Sequence, residues 1–157
     1  MNVKLQAGDS APDFDLEMAG GGRITLDDLR GAPAVVWFYP AASTPLCTRQ
    51  ACDLRDNFAE LTANGARIVG ISPDPIEKVE NFRSNEELPY TMAADPSRET
   101  LKSYGAWGEK NMYGKLIEGV IRSTFVLDPD GKIVSAKYRV GTPKHVEFVM
   151  NALDLIR

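Results

Sequence analysis

Along the chain, hydrophobic and polar positions switch between a period of two and a period near 3.6, and the switches mark out strands and helices. Residues 11–17 (Ala-Pro-Asp-Phe-Asp-Leu-Glu) alternate as a half-buried strand does, and Gly20-Gly21-Gly22 turns the chain into Arg23-Ile24-Thr25, which predicts a hairpin. Ala34 to Tyr39 is an unbroken apolar run ending at Pro40, the pattern of a strand covered on both faces. From Pro45 to Ala63 the positions Cys47, Ala51, Leu54, Phe58 and Leu61 step by four and three, which predicts one helix closed by Gly65. Arg67–Ile71 reads as the next strand, about 75–86 as a helix, 90–94 as an irregular strand and 97–104 as a short helix. Residues 105–119, with Trp107, Tyr113 and four glycines, read as a long irregular stretch packed on the surface. Ile121–Leu127 and Lys132–Val140 predict a hairpin across Asp128-Pro129-Asp130-Gly131, and a last helix runs from about Pro143 to Leu155.

Strands alternating with helices place the chain in the α/β class, with a central sheet flanked by helices and an N-terminal β-hairpin. The closing hairpin makes that sheet mixed. The 157 residues fit one domain spanning 1–157. A chain of this length buries roughly 70% of its unfolded surface and needs no disulfide staple. Composition is that of an ordinary globular protein, 43% hydrophobic and 25% charged.

The net charge of −4 and the lack of any Lys/Arg run argue against a nucleic-acid partner. No apolar stretch approaches membrane-span length, and the first residues carry no signal-peptide core, so a cytoplasmic location away from the membrane is expected. The triple glycine lacks the spacing of a nucleotide-binding loop, and Asp128-x-Asp130-Gly131 opens like a calcium loop without its remaining ligands. Both read as turns. Cys47, Cys52 and the single His145 cannot make a four-ligand zinc site without carboxylates. No metal or organic cofactor is expected, and His145 reads as structural or solvated.

Ligands of open α/β sheets gather beyond the carboxyl ends of strands. The segment Pro40-Ala41-Ala42-Ser43-Thr44-Pro45-Leu46-Cys47 follows the 34–39 strand and lies there. Thr44-Pro45 is a helix start, with Thr as N-cap and Pro as first helical residue, which puts Cys47 at the third helical position. A free thiol at pKa ~8.5 is only about 3% thiolate at pH 7. A helix N-terminus favours the anion by at most ~2 kcal/mol, and a nearby arginine lowers a pKa by a further one to three units or so. Cys47 also lies on the apolar stripe of its helix, so the pattern alone leaves two readings open: a small buried hydrophobe or an activated thiol.

Pro40-x-x-x-Thr44-x-x-Cys47 resembles the active-site motif of peroxiredoxins. The wider block Phe38-Tyr39-Pro40 … Thr44-Pro45-Leu46-Cys47-Thr48-x-Gln50-Ala51-Cys52-Asp53-x-Arg55-Asp56 is similar to the PrxQ branch, the bacterioferritin comigratory proteins. Ala11-Pro12-Asp13-Phe14 and Ile121-Arg122-Ser123-Thr124-Phe125-Val126-Leu127-Asp128 fit the same family, in family order over nearly the whole chain. The resemblance implies a thioredoxin-like fold and reduction of hydroperoxides. Cys47 would attack the O–O bond, the Thr44 hydroxyl contact peroxide and thiolate, Arg122 supply the guanidinium, and Pro40 shield the pocket. Without the motif, Arg122 would read as one half of a surface salt bridge. Two departures stand out: Leu46 replaces the glycine common before the reactive cysteine, and Ala41-Ala42-Ser43 replaces a loop that often carries charge.

Oxidation of Cys47 would leave a sulfenic acid that condenses with a thiol, and Cys52 is the only other thiol in the chain. Five residues apart on an ideal helix, two Cα atoms lie roughly 8–9 Å apart and face different directions, whereas a disulfide needs ~7 Å or less. The bond therefore requires the helix start to unwind. PrxQ relatives that pair cysteines at this spacing make Cys52 the resolving cysteine; the alternative is that an outside thiol resolves Cys47. The resemblance further implies a monomer re-reduced by thioredoxin or a similar dithiol protein. Two other functions compete. A thiol–disulfide oxidoreductase usually carries C-x-x-C, which is absent. A thioredoxin-fold redox sensor or binding module would use the Cys47–Cys52 disulfide itself as its output.

Overall fold

The computed structural model describes residues 4–63, 65–141 and 144–156. The first hairpin pairs β1 (Asp15–Met18) with β2 (Arg23–Thr25), closed by the three glycines, all at positive φ. The apolar run becomes β3 (Ala34–Phe38), buried at every position. Its alternation is concealed because both faces are covered: Val35 and Trp37 join one core cluster, Val36 and Phe38 the other.

The predicted helix 45–63 forms as two pieces, α1 (Pro45–Asp56) and α2 (Phe58–Leu61). The break falls at Asn57, whose side-chain amide donates to the Asp53 carbonyl at 2.8 Å and competes with the helical bond its own N–H makes there at 3.3 Å. Then follow β4 (Arg67–Ser72), α3 (Ile76–Asn85), β5 (Thr91–Ala94) and α4 (Glu99–Ser103). The stretch 105–119, expected to be irregular, is a β-hairpin of β6 (Trp107–Met112) and β7 (Lys115–Val120). Tyr113 and Gly114, at φ 55° and 81°, form its two-residue turn, as hairpin twist requires. Its signal was hidden because Tyr113, Leu116 and Ile117 stay exposed, leaving no buried face to impose alternation. The chain ends with β8 (Ser123–Leu127), β9 (Ile133–Tyr138) and α5 (His145–Asp154).

Seven strands form one mixed sheet in the order β2-β1-β5-β4-β3-β8-β9, so the N-terminal hairpin extends its edge. β3 runs parallel to β4 and antiparallel to β8. α1, α3 and α5 cover one face, over Val35, Trp37, Met92 and Val126. The other face is closed by Phe14, Leu29, Leu101 and Tyr104. Gly70 on β4 lies opposite both Trp37 and Met92. A Cβ there would meet the Trp37 ring at 2.9 Å and the Met92 sulfur at 2.8 Å, so glycine lets the indole lie flat on the strand. Among the described residues no helix is long and apolar enough to cross a membrane.

Candidate active site

The central strands bring together residues far apart in sequence. β8 is antiparallel to β3, so Ser123 pairs with Phe38 and the residue before it, Arg122, sits beside the carboxyl end of β3. There the chain leaves the sheet through Pro40 and turns into α1, with Ser43 in the left-handed region at φ 64°. Thr44 takes the N-cap position and Pro45 the first helical one, as expected. The Thr44 hydroxyl does not cap the helix; it donates to the Ala41 carbonyl at 2.9 Å, which leaves its lone pairs available to a ligand.

Cys47 falls in the first turn of α1, where backbone N–H groups lack intrahelical acceptors. Its side chain is buried, and Arg122 Nη1 donates to the sulfur at 3.4 Å. The same nitrogen donates to Gln50 Oε1 at 2.8 Å. Gln50 escaped the sequence reading because a polar residue was not counted in the apolar stripe, yet it lies three residues from Cys47 on the same face and is fully buried. Its neutral carbonyl orients the guanidinium without cancelling its charge. A second unread support is Asp74, in the loop after β4. It accepts from the Ala42 N–H at 2.6 Å and from Ser72 Oγ at 2.9 Å, and so ties the loop ahead of α1 to the sheet. Burial raises the Tyr39 phenol well above its ordinary range, with Asp74 and Cys47 adding to the effect.

The AhpC/TSA family model matches residues 7–136. A putative peroxiredoxin of Mycobacterium tuberculosis (strain H37Rv) is 54% identical over 144 residues, 92% of each chain. Peroxiredoxin Bcp of Escherichia coli K12 is 42% identical over 149 residues, covering 95% of this chain and 96% of that one. This chain is a peroxiredoxin of the Bcp/PrxQ kind. Among solved structures, the bacterioferritin comigratory protein of Xanthomonas campestris superposes with a TM-score of 0.86 at 31% identity, covering 99% of this chain and 98% of that one. The thioredoxin-like peroxiredoxin fold follows.

In this peroxiredoxin both cysteines are free thiols carried by α1. The structure joins Cys47, Thr44, Arg122 and Pro40 at one end of the sheet, and leaves Cys52 on another face of the helix, half-buried against the end of α3. His145 belongs to neither group. It is fully buried, with Nε2 at 2.8 Å from Thr124 Oγ1 and its ring beside Trp37. Among the described residues no group of His, Cys, Asp and Glu is arranged to hold a metal.

Proposed function

We propose that this peroxiredoxin reduces hydrogen peroxide and organic hydroperoxides at Cys47, closes a Cys47–Cys52 disulfide, and is returned to the dithiol state by thioredoxin or a similar protein. The observation that carries the reading is the Arg122 guanidinium facing the Cys47 sulfur at 3.4 Å in the first turn of α1. A permanent cation and a helix N-terminus both favour sulfur as an anion.

The Cys47 sulfur attacks one peroxide oxygen, forming an S–O bond as the O–O bond breaks. The other oxygen departs as alkoxide or hydroxide and is protonated to alcohol or water. The Thr44 oxygen accepts from the peroxide O–H, since its own hydrogen is given to Ala41. Arg122 has further N–H groups for the oxygen on which charge develops. Pro40, half-buried beside the pocket, limits water. Exposed Leu46 and half-buried Ala42 add apolar surface near Cys47. The Xanthomonas relative is described by its alkyl peroxide reduction activity, in keeping with an organic hydroperoxide as one substrate. The Cys52 sulfur then displaces hydroxide from the sulfenic acid of Cys47, which leaves as water with the proton Cys52 releases.

Peroxide consumption by catalytic amounts of protein, with thioredoxin, its reductase and NADPH, tests the reading. Many turnovers per chain are expected, none after Cys47→Ser, and kcat/KM lower by about 100-fold after Arg122→Lys. Consumption of one equivalent without turnover would replace the enzyme with a redox sensor.

A further inference from the structure

Cys52 is surrounded by groups that take no part in the Cys47 site. Three hydrogen bonds join its stretch of α1 to the end of α3 and the turn before β5. The Cys52 thiol donates to Glu86 Oε1 at 3.4 Å. Arg55 Nη1 donates to the Glu86 carbonyl at 2.7 Å, and the buried Tyr90 hydroxyl to the Ala51 carbonyl at 2.6 Å. Residues 51–55 are thus clamped from outside the helix, while the first turn rests on Arg122.

We propose that Glu86 is a hold on the resolving thiol: its carboxylate keeps Cys52 docked on the folded helix until Cys47 has been oxidised, and so sets the rate and pH dependence of disulfide closure. The proposal rests on Cys52 being the resolving cysteine.

Closure forms an S–S bond between Cys52 and the Cys47 sulfenic acid and breaks the S–O bond, with water as product. The attacking sulfur must lose its proton, and a thiol that donates to a carboxylate is held in the protonated form. The groups facing Cys52 are Glu86 from the end of α3, Arg55 and Asp56 of α1, and Tyr90 ahead of β5. Burial pushes the Cys52 thiol up, and the hydrogen bond to Glu86 acts the same way, as do the charges of Glu86 and Asp56. Arg55 alone opposes them, and its guanidinium is engaged by the Asp56 carboxylate and the Glu86 carbonyl. Glu86 is poorly placed to be the base for the attack itself. The two Cα atoms must close from roughly 8–9 Å on the helix to ~7 Å or less as the first turn is lost, and the Cys52 sulfur must turn from Glu86 towards Cys47, which lies on another face of the folded helix.

The test has two readouts. In Cys47→Ser protein, where Cys52 is the only thiol, its alkylation rate is followed against pH. Glu86→Gln and Glu86→Ala should lower the midpoint by ~0.5–1 pH unit, while Glu86→Asp, which keeps a charge, should stay close to the parent. With both cysteines present, one equivalent of hydrogen peroxide is added and disulfide is counted after rapid quenching. Glu86→Gln should close the bond ~3–10-fold faster at pH 7, with the peroxide-consuming step unchanged. An unmoved alkylation midpoint would overturn the hold, as would slower closure, which would make Glu86 an activating base. Either result leaves the resolving role of Cys52 intact. A parent protein that gains one oxygen and keeps one thiol would instead remove Cys52 from that role, and the hold with it.

Discussion

Arg122 divides one nitrogen between the Cys47 sulfur and the Gln50 carbonyl, so a neutral amide fixes the direction of the charge that faces the thiol. A carboxylate in place of Gln50 would hold the fork equally well and offset its charge. His145 shows a second way in which burial decides behaviour at this scale. Burial pushes its pKa down to about 4, and Arg122 and Lys137 add to that shift. The unfolded chain binds the proton near pH 6.5, so between those values the unfolded state carries more protons than the native one. Stability is full above pH 6.5 and falls as pH drops towards 4, by about 3 kcal/mol in all. Urea unfolding at pH 7 and at pH 4.5 should show this loss, and His145→Asn should remove most of the difference. An equal loss in both proteins would assign the acid sensitivity elsewhere. The sequence singles out Cys47, Thr44 and Pro40 by a motif and Arg122 by the wider family resemblance, and the structure places the four at one end of the sheet. Gln50 and Asp74 were not legible, because a polar side chain shows no sign of burial until its partners are in place.

Among the elements, α1 matters most, because it carries both thiols and presents them in different directions. Its apolar stripe was readable from the spacing of Cys47, Ala51 and Leu54, all buried. Its end at Asn57 was not, since Phe58 and Leu61 continue the same period beyond a local side-chain bond. The β6–β7 hairpin escaped for the opposite reason: it has the turn and the pairing but no buried face along most of its length. The packing of β3 on β4 yields a prediction of its own. Gly70→Ala places a methyl group against the Trp37 indole and the Met92 sulfur. Overpacking of this kind costs about 1–3 kcal/mol, so the unfolding midpoint should fall, and Trp37 fluorescence should change with it. Wild-type stability in Gly70→Ala would mean that the sheet yields more readily than this packing implies.

For the molecule as a whole, the sheet order creates the site. Antiparallel pairing of β8 with β3 sets a side chain from residue 122 against one from residue 47, while α1 packs over that face of the sheet. The strands of the seven-stranded sheet were legible one by one, and its two hairpins with them, but not that β8 lies beside β3, so only the family resemblance pointed to Arg122. In the proposed cycle the same architecture makes peroxide reactivity and disulfide closure mutually exclusive. The folded helix presents Cys47 to Arg122, and the disulfide demands that its first turn be lost. In that cycle one molecule passes between these two states with Cys52 as its own resolving thiol. The most direct measurement adds one equivalent of hydrogen peroxide to the fully reduced protein and quenches within seconds. Intact mass and free-thiol count are then read together. The proposed cycle gives loss of two hydrogens and of both thiols. A gain of one oxygen with one thiol remaining would contradict it.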